Sequence, residues 1–169
     1  RKHGLASTGL FNIAVGEKIG IRGPYGNAFD VKEGKLLLVG GGTGLVPMMR
    51  LLTSVKPTDD VTVLIGAKSK NEVFFEDLAN ELLKNNSHNV IISTDDGSYG
   101  EKGFVTDIVE KLVNESHFDA VYTCGPEKMM YKTVQSAHSR GIFVQASLER
   151  MMKCGVGICG SCCVGEDLA

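Results

Sequence analysis

Four of the chain's five cysteines fall within "KCGVGICGSCC", Lys153 to Cys163. Cys154, Cys159 and Cys162 are spaced Cys-x4-Cys-x2-Cys, the spacing of three thiolates around a plant-type [2Fe-2S] cluster. The interleaved glycines let backbone amides approach cluster sulfur, where their hydrogen bonds tune potential. Zinc is the rival, because three thiolates and one further ligand suit it too, but the short gaps and the glycines favour the cluster. Unemployed surface thiols are a poor account of four cysteines in ten residues. Cys163 follows Cys162 directly, and adjacent side chains diverge too far to share one small cluster easily. A fourth ligand is therefore expected beyond Ala169.

Two further patches could do chemistry. "VGGGTGLVPMM" places Gly40, Gly41, Gly42, Thr43 and Gly44 ahead of a helix opening near Val46-Pro47. Glycines admit a pyrophosphate to the backbone, and a helix N-terminus offers unpaired N–H groups to it. A tight turn needing positive φ explains a lone glycine cluster about as well, and the spacing is not G-x-G-x-x-G. Position favours the ligand, because the cluster ends the first strand of an α/β unit. In "TCGPEKMM", Cys124, Gly125 and Pro126 stand at another strand-to-helix junction. Alone, Cys124 reads as a small buried hydrophobe; paired with the glycine turn across one sheet edge, it reads as part of a site.

The elements that must hold these patches are legible in the apolar runs. Strands are expected at 35–39, 61–65, 89–93, 120–123 and 142–144, with helices at 46–54, 75–83, 105–113 and 126–139 between them. Strands apolar nearly throughout and separated by helices predict a doubly wound, five-stranded parallel α/β sheet covered on both faces, from about Lys35 to Leu148. In such folds ligands bind at the carboxyl ends of the strands. Residues 1–34 read differently: Ile19 and Ile21 alternate with small or polar residues before turns at Gly23-Pro24 and Gly26, as in a β-strand and turn. His88, His117 and His138 are expected on the surface, away from strand ends.

With 169 residues, 22% charged and 43% apolar, and a net charge of −2, the composition is globular and lacks the basic excess of a nucleic-acid binder. No run of about 18 apolar residues and no signal-like start is present. A cytoplasmic protein with reduced cysteines, bound neither to membrane nor to nucleic acid, is expected.

"GGGTGLVP" and "CGPEKM", with "RGPYGN" upstream, resemble the ferredoxin:NADP reductase superfamily. The resemblance implies that residues 1–34 are the C-terminal remnant of an FAD-binding β barrel, 35–148 the NAD(P)-binding domain and 149–169 the start of a truncated [2Fe-2S] segment. It further implies that Gly4, Ser7 and Thr8 form a flavin-pyrophosphate turn, and that Arg22, Gly23, Pro24, Tyr25 and Gly26 end the barrel with Tyr25 bordering the flavin. Gly40 to Gly44 would hold the nicotinamide cofactor's pyrophosphate, and Cys124 would lie beside the nicotinamide. "TDDGSYGEKGFVTD" and "SLERMMKCGVGICGSCC" are similar to the electron-transfer subunits of two-subunit dihydroorotate dehydrogenases. That similarity implies hydride exchange between NAD and FAD, and single-electron transfer through the cluster. The implied partner is an FMN-containing catalytic subunit in a heterotetramer that oxidises dihydroorotate for pyrimidine biosynthesis. Subunits of cytosolic sulfhydrogenases and of bifurcating ferredoxin:NADP oxidoreductases are the near alternatives, although the bifurcating ones tend to carry aspartate where Cys154 stands. A self-contained diaphorase and a non-enzymatic zinc or redox-sensing module are the alternatives of other kinds. Asp95 and Asp96 would disfavour a 2′-phosphate and Lys68 would attract one, so NAD(H) against NADP(H) rests on the resemblance. FAD and the cluster are expected in the intact protein and not in residues 1–169 alone.

Overall fold

The computed structural model describes residues 4–21, 23 and 27–163. A first helix, α1 (Gly4–Asn12), precedes an α/β unit. The unit runs β1 (Lys35–Gly41), α2 (Leu45–Leu52), β2 (Asp60–Ala67), α3 (Glu76–Leu82), β3 (Ser87–Thr94), β4 (Glu101–Lys102), α4 (Val105–Glu115), β5 (Ala120–Cys124), α5 (Glu127–His138) and β6 (Phe143–Ser147). Single 3-10 turns at Gly42–Gly44 and Lys70–Glu72 follow β1 and β2. All strand pairs are parallel, in the order β4-β3-β2-β1-β5-β6. The chain winds outward from β1 on both sides, so the order reverses between β1 and β5, where a doubly wound sheet opens a crevice.

The apolar runs are continuous because each central strand is buried on both faces. Leu36 and Leu38 point into one core with Met48, Leu52, Val61, Val63 and Tyr122, under α2 and α3. Leu37 and Val39 point into the other with Leu64, Val109, Val121 and Met130, under α4 and α5. One sheet thus separates two apolar layers, and Leu36 to Val39 are fully buried.

The elements expected from Lys35 to Leu148 are present, with differences at their ends. The sheet has six strands rather than five, because the two-residue β4 pairs with Ser93 and Thr94; a pair that short has no period to read. The 75–83 helix starts at Glu76, since Phe75 takes a left-handed φ of 67°. His88 lies in β3 and is half-buried, whereas His117 and His138 are exposed. No strand forms at Ile19 or Ile21, which are 52% and 88% exposed; no described strand lies alongside to pair with this stretch, and an isolated strand leaves its backbone groups to water.

Residues 27–35 are bound onto the unit. Phe29 stacks edge-on against Tyr122 at 5.5 Å. The Tyr122 hydroxyl donates to Asp30 O and accepts from Lys32 N, both at 2.8 Å, and Asp30 N donates to Gln145 Oε1 at 2.8 Å. At the amino ends of the strands the buried Asp59 carboxylate accepts Gly34 N at 2.9 Å and Lys56 N at 2.7 Å. The Asn86 amide donates to the Asp59 carbonyl at 3.2 Å. Among the described residues no helix is long and apolar enough to cross a membrane.

Candidate functional site

The strand register sets the first line of the site. Gly40 of β1 lies opposite Cys124 of β5, which lies opposite Ser147 of β6, so three strand ends on either side of the reversal point finish in one row. Cys124 is buried, and burial pushes its thiol above the ordinary cysteine range; the Ser147 hydroxyl opposes that shift and the Glu149 carboxylate adds to it. A neutral thiol suits contact with an uncharged ring better than it suits a nucleophile.

The two turns after β1 and β5 meet through backbone. A β-carbon on Gly44 would sit 2.3 Å from Cys124 O and 2.6 Å from Gly125 Cα. One on Gly125 (φ 151°) would meet the Met129 methyl at 2.9 Å and Gly41 N and O at 3.1 Å. Gly42 differs: its φ is 56° and its missing β-carbon would face open space. Glycine is thus required at 44 for room and at 42 for conformation.

A cleft of about 490 Å³ opens over these turns. Gly41, Gly42, Asp95 and Pro126, singled out from the sequence, are in its lining. Gly66, Glu72, Phe104, Thr106, Lys128, Met129 and Lys132 line it too and were not singled out. For Gly66 a signal existed, a glycine directly after the apolar run Val61 to Ile65; it pairs in register with Gly41. Lys68 is also in the lining, whereas the Asp96 carboxylate is engaged by Ser98 N at 2.9 Å and Ser98 Oγ at 2.6 Å. Those hydrogen bonds hold Asp96 below the usual carboxylate range.

The cysteine segment lies on the other flank. Cys162 lines a groove of about 1050 Å³ with Ser147, Leu148, Glu127 and Arg150, between α5 and β6. Cys154 Sγ accepts N–H from Val156 and Cys159, each at 3.5 Å. These amides, that of Ile158 and the Cys159 thiol lower the Cys154 pKa to about 6. Gly155, Gly157 and Gly160 all have positive φ, which turns this loop around the sulfur. A sulfur ringed by amides and drawn toward thiolate fits an iron-sulfur cluster in donor chemistry. Among the described residues no three metal-binding side chains converge on one point.

Gly4, Ser7 and Thr8 occupy the first turns of α1 rather than a loop. Helix N-terminal amides with neighbouring hydroxyls fit phosphate oxygens, which is the part of FAD they would hold. Gly23 is in irregular backbone; Arg22, Pro24, Tyr25 and Gly26 lie outside the described residues.

The family model of the oxidoreductase NAD-binding domain matches residues 38–135, the stretch that carries both turns. The chain belongs to the oxidoreductase NAD-binding domain family. Among curated members, the probable dihydroorotate dehydrogenase B (NAD(+)) electron transfer subunits of Thermoplasma volcanium and Methanocella arvoryzae are 43% and 42% identical, over 98% and 99% of this chain and 61% and 64% of theirs. The subunit of that name from Thermococcus kodakarensis is 38% identical over 99% of this chain and 69% of its own. The chain thus spans about three-fifths of the length of the first two relatives. An NADH-dependent reduced ferredoxin-NADP oxidoreductase superimposes with a TM-score of 0.75 at 32% identity, over 94% of this chain and 57% of that one. The cytochrome b5 reductase domain of Ulva prolifera nitrate reductase shares the fold, with a TM-score of 0.65 at 20% identity over 85% of this chain and 66% of that one.

Proposed function

We propose that this oxidoreductase NAD-binding domain is the nicotinamide-handling part of an electron-transfer subunit. That subunit serves dihydroorotate oxidation and moves electrons between an FMN-containing catalytic partner and NAD(H). The heterotetramer with that partner belongs to the same reading. FAD and a [2Fe-2S] cluster supply the conversion between a hydride and single electrons when bound. The chain's own residues position the reactants. Gly40 to Gly44 and the start of α2 bind phosphate, Cys124 and Ser147 floor the nicotinamide end, and Gly4, Ser7 and Thr8 bind the flavin pyrophosphate. Cys154, Cys159 and Cys162 hold the cluster. The observation that carries the reading is the placement of Cys162 in the groove lined by Ser147, the strand neighbour of Cys124. That proximity supports a cluster segment close to the strand ends that the reading assigns to the nicotinamide. NAD(H) is preferred to NADP(H) on the relatives' printed names and on Asp95 in the cleft lining.

The test uses the full-length protein purified with its partner. Dihydroorotate should reduce NAD only when both chains are present, and dithionite should elicit a [2Fe-2S] electron-resonance signal that is lost in Cys159→Ser. NAD reduction driven by dihydroorotate without this chain, or no such signal, would overturn the reading. The bifurcating alternative is favoured by one observation, the 32% identical solved structure, and predicts ferredoxin-dependent NADP reduction by the same preparation.

A further inference from the structure

The cleft over the glycine turn is not lined evenly. Lys68 comes from the residues just past β2, and Lys128 and Lys132 come from the first two turns of α5. Four residues apart, Lys128 and Lys132 share one helix face. Among the described residues no carboxylate lies within ion-pair distance of any of the three, whereas Lys32, Lys35 and Lys56 each have one. Beside the two α5 lysines the lining includes Pro126 and Met129, the residues packed against Gly41. An anion placed there would therefore touch the glycine turn on one side and α5 on the other. Glu72 and Asp95 line the same cleft and are suited to ribose hydroxyls rather than phosphates.

We infer that Lys128 and Lys132 grip the pyrophosphate of the dinucleotide, with Lys68 closing on it from the β2 side. The phosphate site is then shared between the glycine turn and the flank of α5. This rests on the nicotinamide reading above and adds the residues that provide its charge. Because an ammonium acts as a point charge with rotatable donors, the grip depends on charge more than on a fixed geometry. Affinity should fall as salt rises.

The test is reduction of the full-length flavoprotein by NADH in stopped flow, with inorganic pyrophosphate as competitor. In Lys128→Gln/Lys132→Gln the NADH Kd should rise at least tenfold and the pyrophosphate inhibition constant should rise in parallel. The limiting reduction rate should change far less, and Lys128→Arg/Lys132→Arg should recover most of the affinity. Both side chains are exposed, so the melting temperature checks that the fold is kept. An NADH Kd within twofold of the unsubstituted protein would overturn the lysine grip while leaving the nicotinamide site standing. A loss of limiting rate at unchanged Kd would also overturn the grip. No saturable NADH reduction in the unsubstituted protein would remove both.

Discussion

At Gly44 a single added methyl group has nowhere to go, because the atoms it would meet are the backbone of Cys124 and Gly125. Gly44→Ala must push the two turns apart, and overpacking against backbone costs about 1–3 kcal/mol or more. At Gly42 there is room, and the penalty is conformational, about 1 kcal/mol for a left-handed non-glycine residue. Urea denaturation should therefore rank Gly44→Ala as the more damaging, and NADH affinity should fall further with it; equal effects would show that the two turns are not in contact. Cys124 sits in the row of strand ends with its thiol held neutral. Cys124→Ala should leave the circular dichroism spectrum unchanged and slow flavin reduction by NADH in the full-length protein. An unchanged rate in stopped flow would take Cys124 out of the site.

Between elements, the strap of residues 27–35 takes two of its hydrogen bonds from one hydroxyl. Tyr122→Phe keeps the ring stack on Phe29 but leaves the Lys32 amide and the Asp30 carbonyl without their partner. A loss of about 1–3 kcal/mol is expected, with faster hydrogen exchange confined to 27–34. The β3–β4 turn adds one acid-sensitive contribution. The two Ser98 hydrogen bonds depress the Asp96 pKa below its unfolded value. Asp96 therefore adds stability above that value, and the contribution is lost as pH falls through the folded one. Asp96→Asn should flatten the fall in urea midpoint between neutral pH and acid; an acid limb as steep as the parent's would assign the sensitivity elsewhere. The strands were legible because burial on both faces leaves an apolar run such as Leu36 to Val39 with no polar interruption. The helix at Gly4–Asn12 was not, because it has no buried residue and hence no apolar stripe to reveal its period. β4 was missed because it is held by its neighbour β3 rather than by its own residues.

For the whole molecule, the two cores end at Leu148, and no residue from Glu149 to Cys163 belongs to either. Removing iron and sulfide from the full-length protein should therefore leave the melting temperature of the α/β unit within about 2 °C, since a shift of that size in a domain this large is well under 1 kcal/mol. Hydrogen exchange should rise in 149–163 alone, and protection lost within β1 or β5 would mean that the segment holds the sheet together. The same separation explains what the sequence revealed of the site. Cys154, Cys159 and Cys162, and the glycines of both turns, stand out as candidates by spacing, because each set lies along one stretch of chain. Lys68, Lys128 and Lys132 do not, because they meet only when β2 and α5 are set on either side of β1. Asp95 and Asp96 are neighbours in sequence, yet one lines the cleft and the other closes a turn, a division that side-chain hydrogen bonds decide.

The knot around Asp59 makes the molecule easy to hold from behind. Gly34, Lys56 and Asn86 are laced to one residue at the amino ends of the strands, while the cleft opens at the opposite ends. A tether grafted at the exposed Thr58 would grasp this stiff corner. Immobilised on an electrode through that point, the protein would stand with its nucleotide entrance turned to the solution. Current would then report on molecules that are all oriented alike.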